Sequence, residues 1–84
     1  MYVVIFGNRS CPYCILAKEF AKKIKDNCND FDYRYVDIYS ENITKEDLSK
    51  IAGKHIETVP QIFIDKKHIG GYIDFKSYIE MLNK

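Results

Sequence analysis

Near the start of the chain, "YVVIF" (2–6) is an unbroken β-branched and aromatic run that Gly7 and Asn8 bring to an end. A few positions later the apolar period changes: Leu16, Ala17, Phe20, Ala21 and Ile24 recur at spacings of one, three and four. The first pattern predicts a buried strand and the second an amphipathic helix. After the turn-rich "DNCND" (26–30), "YRYVDI" (33–38) predicts a second strand. Two strands joined by a helix run parallel, with a right-handed crossover. That unit makes the chain an α/β protein, and everything after it has to fit the same sheet.

The remainder is punctuated clearly. In "ENITKEDLSKIAGK" (41–54), Thr44 is a good N-cap, Asp47 holds the capping-box position and Ile43 can staple to Leu48. Leu48, Ile51 and Ala52 are expected to face inward, and Gly53 to end the helix. "PQIFI" (60–64) predicts a third strand, turned by "DKK" into a short fourth, "HIGG" (68–71), so that the two form a hairpin. Asp74 is expected to cap a last helix with Phe75, Tyr78, Ile79 and Leu82 on one face. The order βαβ-α-ββ-α predicts a four-stranded mixed sheet with helices on both faces. It resembles the minimal thioredoxin fold. At 84 residues there is room for one domain, 1–84, which buries roughly 60–65% of the surface it exposes when unfolded.

A net charge of +1, with lysines interleaved among acids, argues against a polyanionic partner. The densest basic stretch, "AKKIK" (21–25), reads as a solvated helix face rather than a nucleic-acid contact. The first apolar run is too short for a membrane span and lacks a secretory n-region. The expected location is therefore the cytoplasm, where structural disulfides are rare. Three cysteines is also an odd number for a disulfide framework.

Against that background the tetrapeptide Cys11-Pro12-Tyr13-Cys14 stands out, because it follows a strand and opens a helix. In that context it reads as a redox pair. Pro12 suits the first helical position, where its missing N–H is no loss. Cys11 should lie just ahead of the helix, facing free backbone N–H groups and the positive end of the macrodipole, both of which favour a thiolate, the attacking species. Cys14, one turn in, should be shielded yet able to reach back. Cys11 is thus the expected nucleophile and Cys14 the resolving thiol. A zinc site needs four ligands, and Cys28, His55 and His68 do not form a second pair at ligand spacing. Cys28 is expected to be a partly buried filler or a bystander thiol.

Two further clusters point to a ligand. In "TVPQIF" (58–63), Pro60 at the mouth of a strand removes a ladder donor. Either it is an ordinary trans proline that starts the strand, or a cis Val59–Pro60 bond turns the Val59 backbone outward for a peptide-like ligand to pair with. In "GGYIDF" (70–75), the glycines allow close approach, and Asp74 either simply caps the helix or also takes an ammonium while the helix start holds a carboxylate. Tyr72 offers a face to pack against such a ligand.

Together, "CPYC", "TVPQIF" and "GGYIDF", in this order and spacing, resemble the dithiol glutaredoxins of the bacterial type. The likeness extends over essentially the whole chain, including "YVDI" and "ITKEDL". A thioredoxin would be expected to read Cys-Gly-Pro-Cys and to lack the Gly-Gly-Tyr-x-Asp segment. The resemblance implies a glutathione-dependent thiol–disulfide oxidoreductase that reduces protein disulfides and protein–glutathione mixed disulfides. It implies a cis Pro60, glutathione's cysteinyl group held on the Val59 backbone, and a groove lined by Tyr13, Thr58, Tyr72 and Ile73. The amine and carboxylate of the γ-glutamyl end would go to the Asp74 helix start.

The resemblance also implies glutathione as co-substrate with no bound cofactor and no metal, a monomer, and ribonucleotide reductase among the protein partners. An iron–sulfur carrier, with two chains sharing a cluster through Cys11, is disfavoured by Pro12, where cluster-binding relatives usually have Gly or Ser. The chain departs from the family at Asn8, where many relatives carry Lys or Arg. Arg9 beside it either takes over the glycyl carboxylate or the thiolate, or is a surface loop residue. His55 and His68 read as loop and strand residues.

Overall fold

A computed structural model describes residues 1–82 of the chain. The elements are β1 (Tyr2–Gly7), α1 (Pro12–Asn27), β2 (Asp32–Asp37), α2 (Lys45–Ala52), β3 (Gln61–Ile64), β4 (Lys67–Gly70) and α3 (Tyr72–Leu82). They build one four-stranded mixed sheet in the order β2-β1-β3-β4. β1 and β2 are parallel, pairing Tyr2 with Asp32 through to Gly7 with Asp37. β3 runs antiparallel to β1, and β4 antiparallel to β3, with a bulge between Ile62 and Phe63. The hairpin turn is Asp65-Lys66, both at positive φ (48° and 73°). Two left-handed residues in a two-residue loop match the twist of the flanking strands. The fold is the thioredoxin-like α/β architecture expected from the order of the elements.

Strand alternation divides the core in two. Val3, Ile5, Ile62 and Ile64 meet Ala17 and Ala21 of α1 and Phe75 and Ile79 of α3. On the other face Phe6 and Val59 pack with Leu48 of α2, Ile38 and Ile56. The buried stripe of α1 is Cys14, Ala17 and Ala21, at spacings of three and four. Leu16, expected inside, is exposed: small side chains let the helix approach the sheet, and Cys14 takes the position on the buried line that a larger residue seemed to claim. Ile51 is likewise 58% exposed rather than inward, because the short α2 inserts chiefly Leu48, with Ala52 beside it. Leu82 is exposed beyond the face formed by Phe75 and Ile79. No helix among the described residues is long and apolar enough to cross a membrane.

The α2 punctuation is as expected. Thr44 accepts from the Asp47 N–H at 3.0 Å, and Asp47 returns the bond to the Thr44 N–H at 2.9 Å. Ile43 and Leu48 share one cluster, and Gly53 ends the helix at φ 75°. The Thr44→Ala variant should lose about 1 kcal/mol of stability, the usual scale of an N-cap, with turnover unchanged. Urea unfolding checks this, and an unshifted midpoint would show that the box contributes nothing.

The third helix begins earlier than expected. Asp74 is not its N-cap but its third residue, and its Oδ2 accepts from the Gly71 N–H at 3.1 Å. Gly71 occupies the cap, and Asp74 supplies the return half of a capping box. Gly70, at φ 127°, lies so close to the Asp74 carboxylate that any Cβ there would collide with it.

Candidate active site

The end of β1 delivers the chain into the loop Asn8–Ser10, and Cys11 then caps α1 in an extended conformation (φ −92°, ψ 115°). Its sulfur accepts from the Cys14 N–H at 3.3 Å, so one of the orphan donors of the helix start lies on the thiol. Cys11 is half-buried, whereas Cys14 is fully buried, and both are free thiols. Burial pushes the Cys14 thiol well above its ordinary range, and its neighbour Cys11 adds to the rise. The two sulfurs are thus unlike: one is presented at the helix tip, and the other is packed behind it and held protonated at neutral pH.

Behind Cys14 lie two groups that reading along the chain did not single out. The Tyr35 hydroxyl on β2 donates to the Asn8 carbonyl at 3.0 Å. Burial, with the Cys14 thiol second, raises its phenol to about 12. Gly7 sits against both: a Cβ there would be 2.7 Å from the Tyr35 hydroxyl and 2.8 Å from the Cys14 sulfur.

In front of Cys11 the Val59–Pro60 peptide is cis. The Cys11 thiol donates to the Val59 carbonyl at 3.6 Å, across 48 residues of sequence. From there a groove of about 590 Å³ runs toward the start of α3. Tyr13, Thr58, Val59 and Pro60 line its near end, and Tyr72, Ile73 and Asp74 its far end. Seven of the eight expected ligand residues therefore share one concavity next to the half-buried Cys11 thiol. The Tyr13 and Tyr72 rings lie 6.3 Å apart, tilted by 34°.

Arg9 is the exception. Its Nε pairs with Asp37 at 3.3 Å and its Nη2 donates to Ser40 at 3.3 Å, so the carboxylate closing β2 draws the side chain away from the groove. Cys28 is exposed at the C-cap of α1, a bystander rather than a filler. His55 is an exposed loop residue paired with Glu57. His68 is on β4 as expected, but it also lines the groove. Burial, helped by the positive charge of Lys54 and opposed by Asp74, lowers its pKa and keeps the ring neutral at pH 7.

A half-buried thiol on a helix N-terminus, a buried partner thiol one turn on and a facing proline turn, all on this sheet, define a thiol–disulfide oxidoreductase of the thioredoxin fold. The family model named Glutaredoxin matches residues 3–69, and the chain belongs to the glutaredoxin family. It is similar to a protein named Glutaredoxin from Haemophilus influenzae, with 62% identity over 80 residues covering 95% of this chain and 92% of that one. It is also similar to one named Glutaredoxin 1 from Escherichia coli, with 56% identity over 80 residues covering 95% and 94%. The solved structure of reduced Escherichia coli glutaredoxin superposes with a TM-score of 0.91 at 54% identity over the full length of both chains. Glutaredoxins use glutathione as a substrate.

Proposed function

We propose that this chain uses glutathione to reduce protein–glutathione mixed disulfides and protein disulfides, with Cys11 as nucleophile and Cys14 as resolving thiol. The observation that carries this reading is the position of the Cys11 sulfur. It lies between the Cys14 N–H and the Val59 carbonyl, at the head of a groove that ends in Asp74.

In the first branch the Cys11 thiolate attacks the glutathione sulfur of a mixed disulfide. A Cys11–glutathione disulfide forms and the protein leaves as a thiolate, which takes a proton. A second glutathione thiolate attacks the bound glutathione sulfur, releasing oxidised glutathione and restoring Cys11. In the second branch Cys11 attacks a protein disulfide and Cys14 then displaces the protein from Cys11, giving up its proton to the departing thiolate. Two glutathiones reduce the Cys11–Cys14 disulfide to the dithiol. The raised pKa of Cys14 keeps it protonated and out of the first attack, and in the second branch its attack is coupled to passing that proton to the departing protein thiolate.

Glutathione is read into the groove with its cysteinyl backbone on Val59, as an added strand. Its γ-glutamyl carboxylate lies at the α3 N-terminus and its amine beside Asp74. Tyr13, Thr58, Tyr72 and Ile73 flank it. The protein is proposed to act as a cytoplasmic monomer with no bound cofactor and no role with nucleic acid or membranes, and ribonucleotide reductase is a proposed disulfide substrate.

The decisive experiment is glutathione-coupled turnover of a mixed disulfide by the purified protein. Turnover without dependence on glutathione would overturn the reading. Asp74→Ala should raise KM for glutathione about tenfold, the scale of one charge-assisted hydrogen bond. Because Asp74 also bonds the Gly71 N–H, Asp74→Asn separates the two roles: it keeps an acceptor for the cap and removes the charge. An Asn variant with wild-type KM would take Asp74 off the ligand.

A further inference from the structure

One wall of the groove is held by a pair of side chains that the thiol chemistry does not use. Gln61, the first residue of β3, is a buried polar side chain. Its Nε2 donates to the Thr58 carbonyl at 3.0 Å, and its Oε1 lies 2.6 Å from His68 Nε2. A carbonyl can only accept, so the amide must turn its NH2 toward Thr58 and its oxygen toward His68. The facing imidazole nitrogen must then carry the hydrogen. The chain of bonds has one direction, from His68 through Gln61 to Thr58. Its origin is fixed, since His68 pairs with Phe63 across the β3–β4 ladder and their rings lie 5.0 Å apart. Its end is one residue from Val59, whose carbonyl faces the Cys11 sulfur.

We infer that His68 is a positioning residue of the glutathione groove. Acting through the Gln61 amide, it holds the Thr58–Pro60 turn where the Val59 backbone can meet an extended peptide ligand. The inference rests on the glutathione reading above. Without the His68 hydrogen, a buried amide oxygen loses its donor, and the amide is free to rotate and release Thr58. Protonation of the ring, which Lys54 and Asp74 face, leaves the Nε2–H in place, so the chain is a brace and not a pH switch.

The test compares two variants. His68→Phe keeps an aromatic ring against Phe63 and removes the donor, whereas His68→Gln keeps a donor on an amide. In glutathione-coupled turnover of a mixed disulfide, His68→Phe should raise KM for glutathione about three- to tenfold, the scale of one neutral hydrogen bond. Its kcat should stay near wild type, and Cys11 alkylation by iodoacetamide should be no slower, since a released turn only removes the Val59 carbonyl from the neutral thiol. His68→Gln should recover most of the KM, with thermal midpoints recorded for both. Gln61→Met cuts the same chain at its middle and should reproduce the KM rise, which keeps the test decisive if His68→Phe does not fold. Wild-type KM in His68→Phe and Gln61→Met, or a Gln variant as impaired as Phe, would overturn the inference. A slowed Cys11 alkylation would do so too, by showing general damage. Failure of glutathione dependence in the wild-type protein would instead remove the reading beneath it.

Discussion

Cys11→Ser should abolish turnover of both mixed disulfides and protein disulfides, while Cys14→Ser should keep the first and lose the second. The asymmetry follows from where the sulfurs stand. Cys11 caps α1 with the Cys14 N–H on its sulfur, is only half-buried, and faces Val59, which lines the groove. A serine hydroxyl there could accept the same bond but would not ionise near neutral pH, so a loss of at least about 10³-fold is expected, as when other enzymatic nucleophiles are removed. Cys14 is buried, with its thiol pushed well up by desolvation. In the mixed-disulfide branch the second attack comes from free glutathione, and Cys14 has no covalent part to play. Its loss should leave that rate within a few-fold of wild type, whereas reduction of a protein disulfide should stall as a trapped mixed disulfide on Cys11. Both assays use the same variants, and intact mass reads the trapped species directly. Loss of both activities in a folded Cys14→Ser protein would refute the division of labour. So would alkylation of Cys14 ahead of Cys11 in the wild type.

How much of this was legible beforehand depended on whether the signal was local. The strand–helix–strand order, the Thr44–Asp47 box, the Ile43–Leu48 staple and Gly53 all act over a few residues, and the structure repeats them. Part of the groove lining was legible too, since Tyr13, Thr58–Pro60 and Tyr72–Asp74 fall within the three motifs, whereas Lys54, His55, Glu57 and His68 join it unannounced. Apolar spacing marks the inward faces only in part, with Ala17, Ala21 and Leu48 buried as expected and Leu16 and Ile51 exposed. Leu16 and Ile51 lie at the margins of their apolar stripes, and the helices present Cys14, Ala17 and Leu48 to the sheet instead. Asp74 acts at the third helical position rather than at the cap, since half of a capping box returned to a glycine looks in sequence like a plain Asp cap. What could not be read were polar contacts between remote segments. The Asp37 carboxylate that captures Arg9 lies 28 positions away. Gln61 and His68 are seven apart on two strands, and only the hairpin register with its bulge brings their side chains together.

Gly7 belongs to the same class of remote contact, and its substitution carries the second large effect. Changing a strand glycine to alanine normally stabilises a protein by about 0.4–1 kcal/mol, through the entropy of the unfolded chain. Here the φ of Gly7 is not in the left-handed region, so the backbone itself would accept a side chain. The space would not. The new Cβ would lie 2.7 Å from the Tyr35 hydroxyl, 2.8 Å from the Cys14 sulfur and 2.9 Å from the Cys14 Cβ. The last of these is not the far end of a flexible chain, because Cys14 is fully buried on α1 and its Cβ moves only with the helix. Overpacking of this kind costs about 1–3 kcal/mol, which outweighs the entropic gain, so Gly7→Ala should be destabilising. The displacement should also fall on the resolving thiol more than on Cys11, so reduction of protein disulfides should drop further than reduction of mixed disulfides. Tyr35→Phe in the Gly7→Ala background removes only the hydroxyl contact and should recover part of the stability, not all. Urea unfolding of the single and double variants, with both turnover assays, separates these effects. A Gly7→Ala protein that unfolds at the wild-type midpoint would mean that α1 yields freely at Cys14, and an equal fall in both activities would mean that the strain reaches the nucleophile as well.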